Sequence, residues 1–204
     1  MNLPILATVT TCPQRWTHYR RFLKNFAALR LGFPVRTFQT KEAHGNPFAN
    51  NNLNARAALA YAERNLSDNG WLLYLEDDVV MRPVLAALLP QFMAIGERQR
   101  LDCWYLCNRK NMVERQFRRG AVVINELAEL ILGSHALLIP KRHLKTMLDA
   151  HWAEIADRSM FGALRREPLK VWQVVEPVLV RHVGFVSTYD PEQKPRELEV
   201  NYAN

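Results

Sequence analysis

The sequence predicts a single α/β domain built around a mostly parallel sheet, and three observations support this. Apolar runs of strand length alternate with segments whose apolar residues recur at helical spacing. The strongest strand-like run is continuously apolar, which is typical of a sheet covered on both faces. The chain has 204 residues, of which 49% are hydrophobic, enough to bury one full core, and it contains no internal repeat or clear linker.

Apolar periodicity and turn residues define the predicted elements of the first half. In chain order they are a strand at 3–11, an amphipathic helix after Pro13, a strand at 34–39, a polar substrate-facing loop at 40–52, a helix at 53–64, a strand at 71–80 and a helix after Pro83. In the second half they are a strand at 102–107, a polar basic loop around 109–119, one or two strands within 130–139 bent at Gly133, a helix from 140 onward and an apolar run at 174–181.

Three successive carboxylates end the strand at 71–80, namely Glu76, Asp77 and Asp78. Adjacent anions repel one another unless they bind a cation or accept hydrogen bonds, so the triplet predicts a Mg²⁺ or Mn²⁺ site. Such a cation keeps open positions that commonly go to substrate phosphates. The alternative is that one acid caps a turn and the others lie in solvent.

The loop after the first strand supplies a second set of polar groups. Ligands of open α/β sheets lie beyond the carboxyl ends of the strands, where this loop and the acid triplet would face one crevice. The hydroxyls of Thr10 and Thr11 and the guanidinium of Arg15 suit a nucleotide.

These motifs together resemble the nucleotide-sugar half of GT-A-fold glycosyltransferases. The pattern is similar to the N-acetylglucosaminyltransferase I-like enzymes, which use an EDD form, and more loosely to lipopolysaccharide glycosyltransferases of family 25. The resemblance implies a GT-A-like α/β/α sandwich in which residues 1–107 bind the nucleotide sugar and metal and residues 108–204 bind the acceptor. It implies that Asp78 is the direct metal ligand, that Glu76 and Asp77 hold the ribose and sugar side, and that Arg15 approaches the nucleotide. Glu76 is also expected to be a metal ligand together with Asp78.

The resemblance also assigns roles to later residues. Asp157 is the first candidate for the base that takes the acceptor hydroxyl proton, with Glu154 and Asp102 behind it, although Asp157 also suits a helix cap. His182 is a candidate for the metal or the pyrophosphate, against a simple hydrogen-bonded histidine. From the residues themselves, His135 and Trp104 are acceptor-pocket candidates, because an aromatic ring suits a sugar ring or a base, although a strand tryptophan is more often core.

The charge distribution and the cysteine content limit the binding partners and the cellular compartment that the sequence predicts. The net charge of +7 equals the seven basic residues of the acid-free segment 1–41, and a second basic cluster occupies 109–119. Such clusters attract polyanions, for example DNA or phosphorylated glycans, or else form a solvated face. Cys103 and Cys107 are expected to be reduced core thiols. With no apolar run of membrane-spanning length and no leader pattern, we expect a cytoplasmic protein.

The sequence therefore predicts a metal-dependent glycosyltransferase that moves a sugar from a nucleotide diphosphate sugar to an acceptor hydroxyl. The acceptor is either a bacterial envelope glycan or a hydroxymethylated base in phage-type DNA. The alternative is a non-catalytic nucleotide or nucleic-acid binding protein with the same fold.

Overall fold

A computed structural model describes residues 3–39, 47–107, 113–127, 135–152, 156–162, 164 and 170–183. The strands are β1 (Leu3–Thr11), β2 (Val35–Gln39), β3 (Leu66–Glu76), β4 (Val79–Met81), β5 (Cys103–Tyr105), β6 (Val113–Arg119), β7 (Val122–Leu127), β8 (Ala136–Pro140), β9 (Val171–Glu176) and β10 (Val180–His182). The helices are α1 (Trp16–Ala28), α2 (Pro47–Asn65), α3 (Val84–Gln99), α4 (Leu144–Leu148) and α5 (Ala156–Gly162). None of the described helices is both long enough and apolar enough to cross a bilayer.

Eight strands form the central sheet in the order β2-β1-β3-β8-β5-β9-β7-β6, and β10 pairs with β4 in a separate two-stranded ribbon. β1 is parallel to both β2 and β3, and β5 is parallel to β9. β8 runs against β3 and β5, and β7 runs against β9 and β6. Six of the eight strands therefore point in one direction, which confirms the predicted α/β class with a mostly parallel sheet.

The core lies between this sheet and the helices that pack on it. Trp71, Trp104 and Trp172 are among its largest fully buried side chains. Gly96 lets α3 approach them closely, since a Cβ at this position would lie 2.5 Å from Cη2 of Trp71 and 3.0 Å from Nε1 of Trp104. A side chain at position 96 would force the helix away from the sheet.

Most predicted elements of the first half are confirmed, with two changes of boundary. The predicted strand 71–80 begins earlier, at Leu66, and ends at Glu76, and a turn at Asp77 and Asp78 separates it from β4. The helix predicted at 53–64 begins at Pro47, so the second part of the predicted loop is helical, while residues 40–46 lie outside the described part. Proline is favoured at the first helical position because it lacks an N–H to satisfy there.

The predicted basic loop around 109–119 is wrong for residues 113–119, which form the edge strand β6, while 108–112 lie outside the described residues. β6 pairs antiparallel with β7 across a turn at Gly120, whose φ is +60°. An edge strand keeps its charged side chains in solvent, so its sequence lacks the apolar run that marks an inner strand. The strand predicted within 130–139 is confirmed at β8, and Gly133 lies outside the described residues.

Candidate metal centre

The acid triplet lies at the carboxyl end of β3, beside the end of β1. Thr10 of β1 is the register partner of Glu76. The loop after β1 and the triplet therefore share one edge of the sheet, as the sequence predicts. Two later strands reach the same place: His135 lies immediately before β8, where its carbonyl accepts from the Glu76 amide at 3.0 Å, and His182 of β10 pairs with Val79.

Asp78, His135 and His182 form the centre of this site. One ligand atom from each residue lies within 4.8 Å of the other two. Nε2 of His182 is 2.9 Å from Oδ2 of Asp78, and the two imidazole rings stack with centroids 4.2 Å apart. The backbone of Asp78 is also fixed, because the Val183 N–H donates a hydrogen bond to the Asp78 carbonyl at 2.7 Å.

Two buried polar atoms of this cluster lack a hydrogen-bond partner among the described residues, namely Oδ1 of Asp78 and Nε2 of His135. A buried acceptor without a partner carries a free-energy cost of about 1–3 kcal/mol unless a ligand satisfies it. One carboxylate and two imidazoles are ordinary ligands of a divalent transition-metal cation. The donor set therefore fits a metal ion.

Arg15 lies over the turn between β3 and β4 and neutralises its carboxylates. Its Nε is 3.2 Å from Oδ1 of Asp77, and its terminal nitrogen pairs with Oδ2 of Asp78. The Thr11 hydroxyl donates to Oδ2 of Asp77 at 2.6 Å. The Arg15 side chain retains 18% exposure, so it borders the crevice instead of lying in the core.

Burial and charge shift the ionisation of the two aspartates in opposite directions. Burial raises the pKa of Asp77 to about 7, although Arg15 and the Thr11 hydrogen bond oppose it. Burial also acts to raise the pKa of Asp78, but the hydrogen bond with His182 and the charge of Arg15 outweigh it and lower that pKa. Asp78 is therefore the carboxylate that stays ionised and available to a cation.

The other donor-side candidates lie around this centre. Thr10 is buried, with its hydroxyl 3.4 Å from that of Tyr74. The Thr11 carbonyl accepts from the Asn54 side-chain amide at 3.0 Å. Glu76 contacts His135, with 2.9 Å between Oε2 and Nδ1. The predicted residues thus come together in space, with Thr10 on the core side and Arg15 and Glu76 beside the cluster.

The candidates for the acceptor side are placed less closely. Asp157 is in α5, but its side chain and the whole of Glu154 lie outside the described part. Asp102 lies before β5, at the sheet edge opposite the triplet, where it accepts from the Lys170 amide at 2.7 Å and lies 2.9 Å from His143. Trp104 is fully buried, and its indole N–H donates to the Phe92 carbonyl at 2.9 Å, so the core alternative is the correct one for this residue.

Sequence reasoning treated His135 as an acceptor-pocket residue and missed its place beside Asp78. It also missed His18 of α1, which lies close enough to the site that burial and then Arg15 lower its pKa. His18 has no local signal, because it reaches the site through the packing of α1. A count of histidines next to predicted strand ends would have singled out His135.

Several solved glycosyltransferase structures share this fold. A Drosophila β1,4-galactosyltransferase 7 variant in complex with manganese, UDP-Gal and xylobiose aligns with TM-score 0.53 and 15% identity, over 98% of this chain and 78% of that one. A glycosyltransferase involved in glycosylation of the major capsid of PBCV-1 aligns with TM-score 0.53 and 10% identity, over 92% and 96% of the two chains. An active-site variant of the galactosyltransferase LgtC aligns with TM-score 0.50 and 13% identity, over 89% and 88%.

These likenesses confirm the predicted GT-A-type fold in a single domain. No protein-family model matches the chain, and no curated protein matches it. The finer resemblance to the N-acetylglucosaminyltransferase I-like enzymes and to family 25 stays a prediction.

Proposed function

We propose that this protein is a metal-dependent glycosyltransferase that moves a sugar from a nucleotide diphosphate sugar to an acceptor hydroxyl. One observation carries the proposal: Asp78, His135 and His182 bring three ligand atoms within 4.8 Å of one another at the carboxyl edge of β3. The proteins that share the fold are glycosyltransferases, and one of them was crystallised with manganese and UDP-Gal. A cation site at this edge is where such a fold binds its ligand.

The cation would be held by Asp78, His135 and His182. Two imidazole ligands disfavour Mg²⁺, which prefers oxygen. Of the two predicted cations we therefore propose Mn²⁺, the ion in the complex of the β1,4-galactosyltransferase 7 variant that shares this fold. When bound, the cation neutralises charge that develops on the diphosphate leaving group. Arg15 adds a permanent positive charge at the rim of the same site, and we assign it to the nucleotide diphosphate.

The remaining roles follow the predicted division of the chain. We assign the donor to residues 1–107, with Thr11, Glu76 and Asp77 lining its site, and the acceptor to residues 108–204. Asp157 of α5 is our candidate for the base that takes the acceptor hydroxyl proton. Cys103 and Cys107 are buried, and because we expect them to be reduced core thiols we propose a cytoplasmic location.

For the acceptor we propose a polyanion, either a phosphorylated envelope glycan or DNA with hydroxymethylated bases. The exposed strand β6 carries Arg115, Arg118 and Arg119 on the half of the chain assigned to the acceptor. Log affinity for DNA falls as log salt concentration rises, and each phosphate that these residues neutralise makes this negative slope steeper by about 0.9. Charge reversal at Arg118 and Arg119 should therefore reduce the steepness of that slope by about two if both contact DNA. Absence of binding to duplex DNA at low salt would leave the glycan.

A thermal-shift panel of nucleotide sugars with and without Mn²⁺ tests the function. A ligand that binds only the native state raises the melting temperature, by an amount that grows with the logarithm of the ratio of its free concentration to its Kd. We expect one nucleotide sugar to stabilise the protein only when Mn²⁺ is present, and the same sugar to be hydrolysed slowly without acceptor. Stabilisation without any hydrolysis or transfer would instead show a non-catalytic nucleotide-binding protein, and no stabilisation by any donor would refute the proposal.

A further inference from the structure

We infer that Glu76 is a positioning residue, which holds the His135 ring so that its Nε2 faces the cation. This inference rests on the proposed function, because it concerns the same cation site. It changes the role expected of Glu76 from a metal ligand to a residue that acts through a histidine.

The two residues face each other across neighbouring antiparallel strands. β3 and β8 pair Leu75 with Ala136, and the next pair along the ladder is Glu76 with His135. The backbone continues the ladder there, since the Glu76 amide donates to the His135 carbonyl at 3.0 Å. Directly opposed residues place their side chains on the same face within contact distance. The Glu76 carboxylate is therefore fixed beside the imidazole by the sheet itself.

This contact determines which ring nitrogen carries the proton. Oε2 of Glu76 lies 2.9 Å from Nδ1 of His135, and a carboxylate only accepts hydrogen bonds when ionised. Nδ1 must therefore donate, and in a neutral imidazole the other nitrogen then has a free lone pair. That nitrogen, Nε2, is the buried atom without a hydrogen-bond partner among the described residues.

One nitrogen of His135 is among the converging ligand atoms, and since Nδ1 contacts Glu76 we assign that place to Nε2. The His135 ring stacks on that of His182 with an interplanar angle of 27°, which restricts rotation out of the site. The converging ligand atoms of the described residues belong to Asp78, His135 and His182, and Glu76 is not among them. Carboxylates that accept from the second nitrogen of a metal-bound histidine commonly orient it and raise its basicity.

Two measurements on purified protein test the inference. Long-range nitrogen–proton NMR of the metal-free protein reports which His135 nitrogen is protonated, and calorimetric titration reports Mn²⁺ affinity. The variants are Glu76→Ala and Glu76→Gln. The matched control is Glu126→Ala, which removes a carboxylate from another cross-strand pair, with Arg115 in β6.

We expect wild-type His135 to carry its proton on Nδ1. Glu76→Ala should lower Mn²⁺ affinity by about 10- to 100-fold and release this tautomer preference. Glu76→Gln should keep the tautomer, since its amide oxygen still accepts, and lose less than about 10-fold. The control should match the wild-type protein in both measurements.

Two results would overturn the inference while leaving the proposed function intact. One is wild-type Mn²⁺ affinity in Glu76→Ala. The other is an equal loss of Mn²⁺ binding in both Glu76 variants with the His135 tautomer unchanged, which would make Glu76 a ligand itself. If the wild-type protein does not bind Mn²⁺ at all, the proposed cation site fails, and the inference fails with it.

Discussion

Replacing Asp78 by asparagine removes one anionic ligand at nearly constant volume. The side chain lies in a turn and contacts both Arg15 and His182, and asparagine can still accept hydrogen bonds from both. We therefore expect the fold to survive while Mn²⁺ binding is lost. Sugar transfer that depends on the metal should fall by orders of magnitude.

The expected size of the effect follows from the geometry. A residue that only orients a ligand contributes about 10- to 100-fold to metal affinity, so loss of a direct anionic ligand should cost at least about 100-fold. At a Mn²⁺ concentration of about 100 times the wild-type dissociation constant, binding adds about 2.7 kcal/mol to the free energy of unfolding. After a loss of about 100-fold in affinity, the same concentration adds only about 0.4 kcal/mol.

Thermal denaturation with and without Mn²⁺ measures this difference. In a domain of this size 1 kcal/mol corresponds to about 2–4 °C, so the Mn²⁺-dependent rise in Tm should fall from about 5–11 °C to about 1–2 °C. Comparing each variant with itself removes any effect of the substitution on the metal-free protein. Asp68→Asn is the matched control, because Asp68 is 99% exposed and lies at the start of β3, away from the site. An unchanged Mn²⁺-dependent rise in Asp78→Asn would refute the metal centre.

Three further predictions concern Arg15, the packing of Gly96 and the ionisation of Asp102. Arg15→Ala should weaken binding of a nucleoside diphosphate in calorimetry more than binding of acceptor, and unchanged affinity would confine Arg15 to neutralising the carboxylates. Gly96→Ala should lower the free energy of unfolding in urea by about 1–3 kcal/mol because its Cβ would overlap the Trp71 ring, whereas Gly162→Ala, which meets nothing within 4 Å, should not. Burial acts to raise the pKa of Asp102, but the hydrogen bonds from His143 and from the Lys170 amide outweigh it and lower this pKa below its ordinary 3.8. The ionised Asp102 carboxylate therefore stabilises the folded protein above pH 3.8. This stabilisation is lost as the pH falls through the pKa that Asp102 has in the folded protein. Asp102→Asn should then destabilise the protein most at neutral pH, and the loss should shrink as the pH falls below 3.8; a loss that does not change with pH would contradict the assignment.

The first β-loop-α unit and the strand that ends in the acid triplet were predictable from local sequence alone. A continuous apolar run, a Cys-Pro break and a helical apolar period define β1 and α1, and the same kind of run ends at the three carboxylates. Parallel strands bring their carboxyl ends to one edge, so the meeting of Thr11 and Arg15 with Asp77 followed from those elements. Their contacts confirm that geometry.

The basic segment around 109–119 shows where local patterns mislead. This segment has charged and polar residues on both sides of Phe117 and no apolar run, because an edge strand leaves its outer edge and much of its surface in solvent. Pairing with β7 makes it a strand, and that pairing is decided by the hairpin as a whole.

The sequence by itself determined the α/β class, the first β-loop-α unit and the position of the acids at a strand end, since each depends on neighbours a few residues apart. Only the tertiary structure decided which side chains complete the cluster. His182 meets Asp78 across 104 residues and His135 meets Glu76 across 59, through the registers of β10 with β4 and of β8 with β3. Register between distant strands depends on how whole faces pack in the core, so no local period or spacing of residues encodes it.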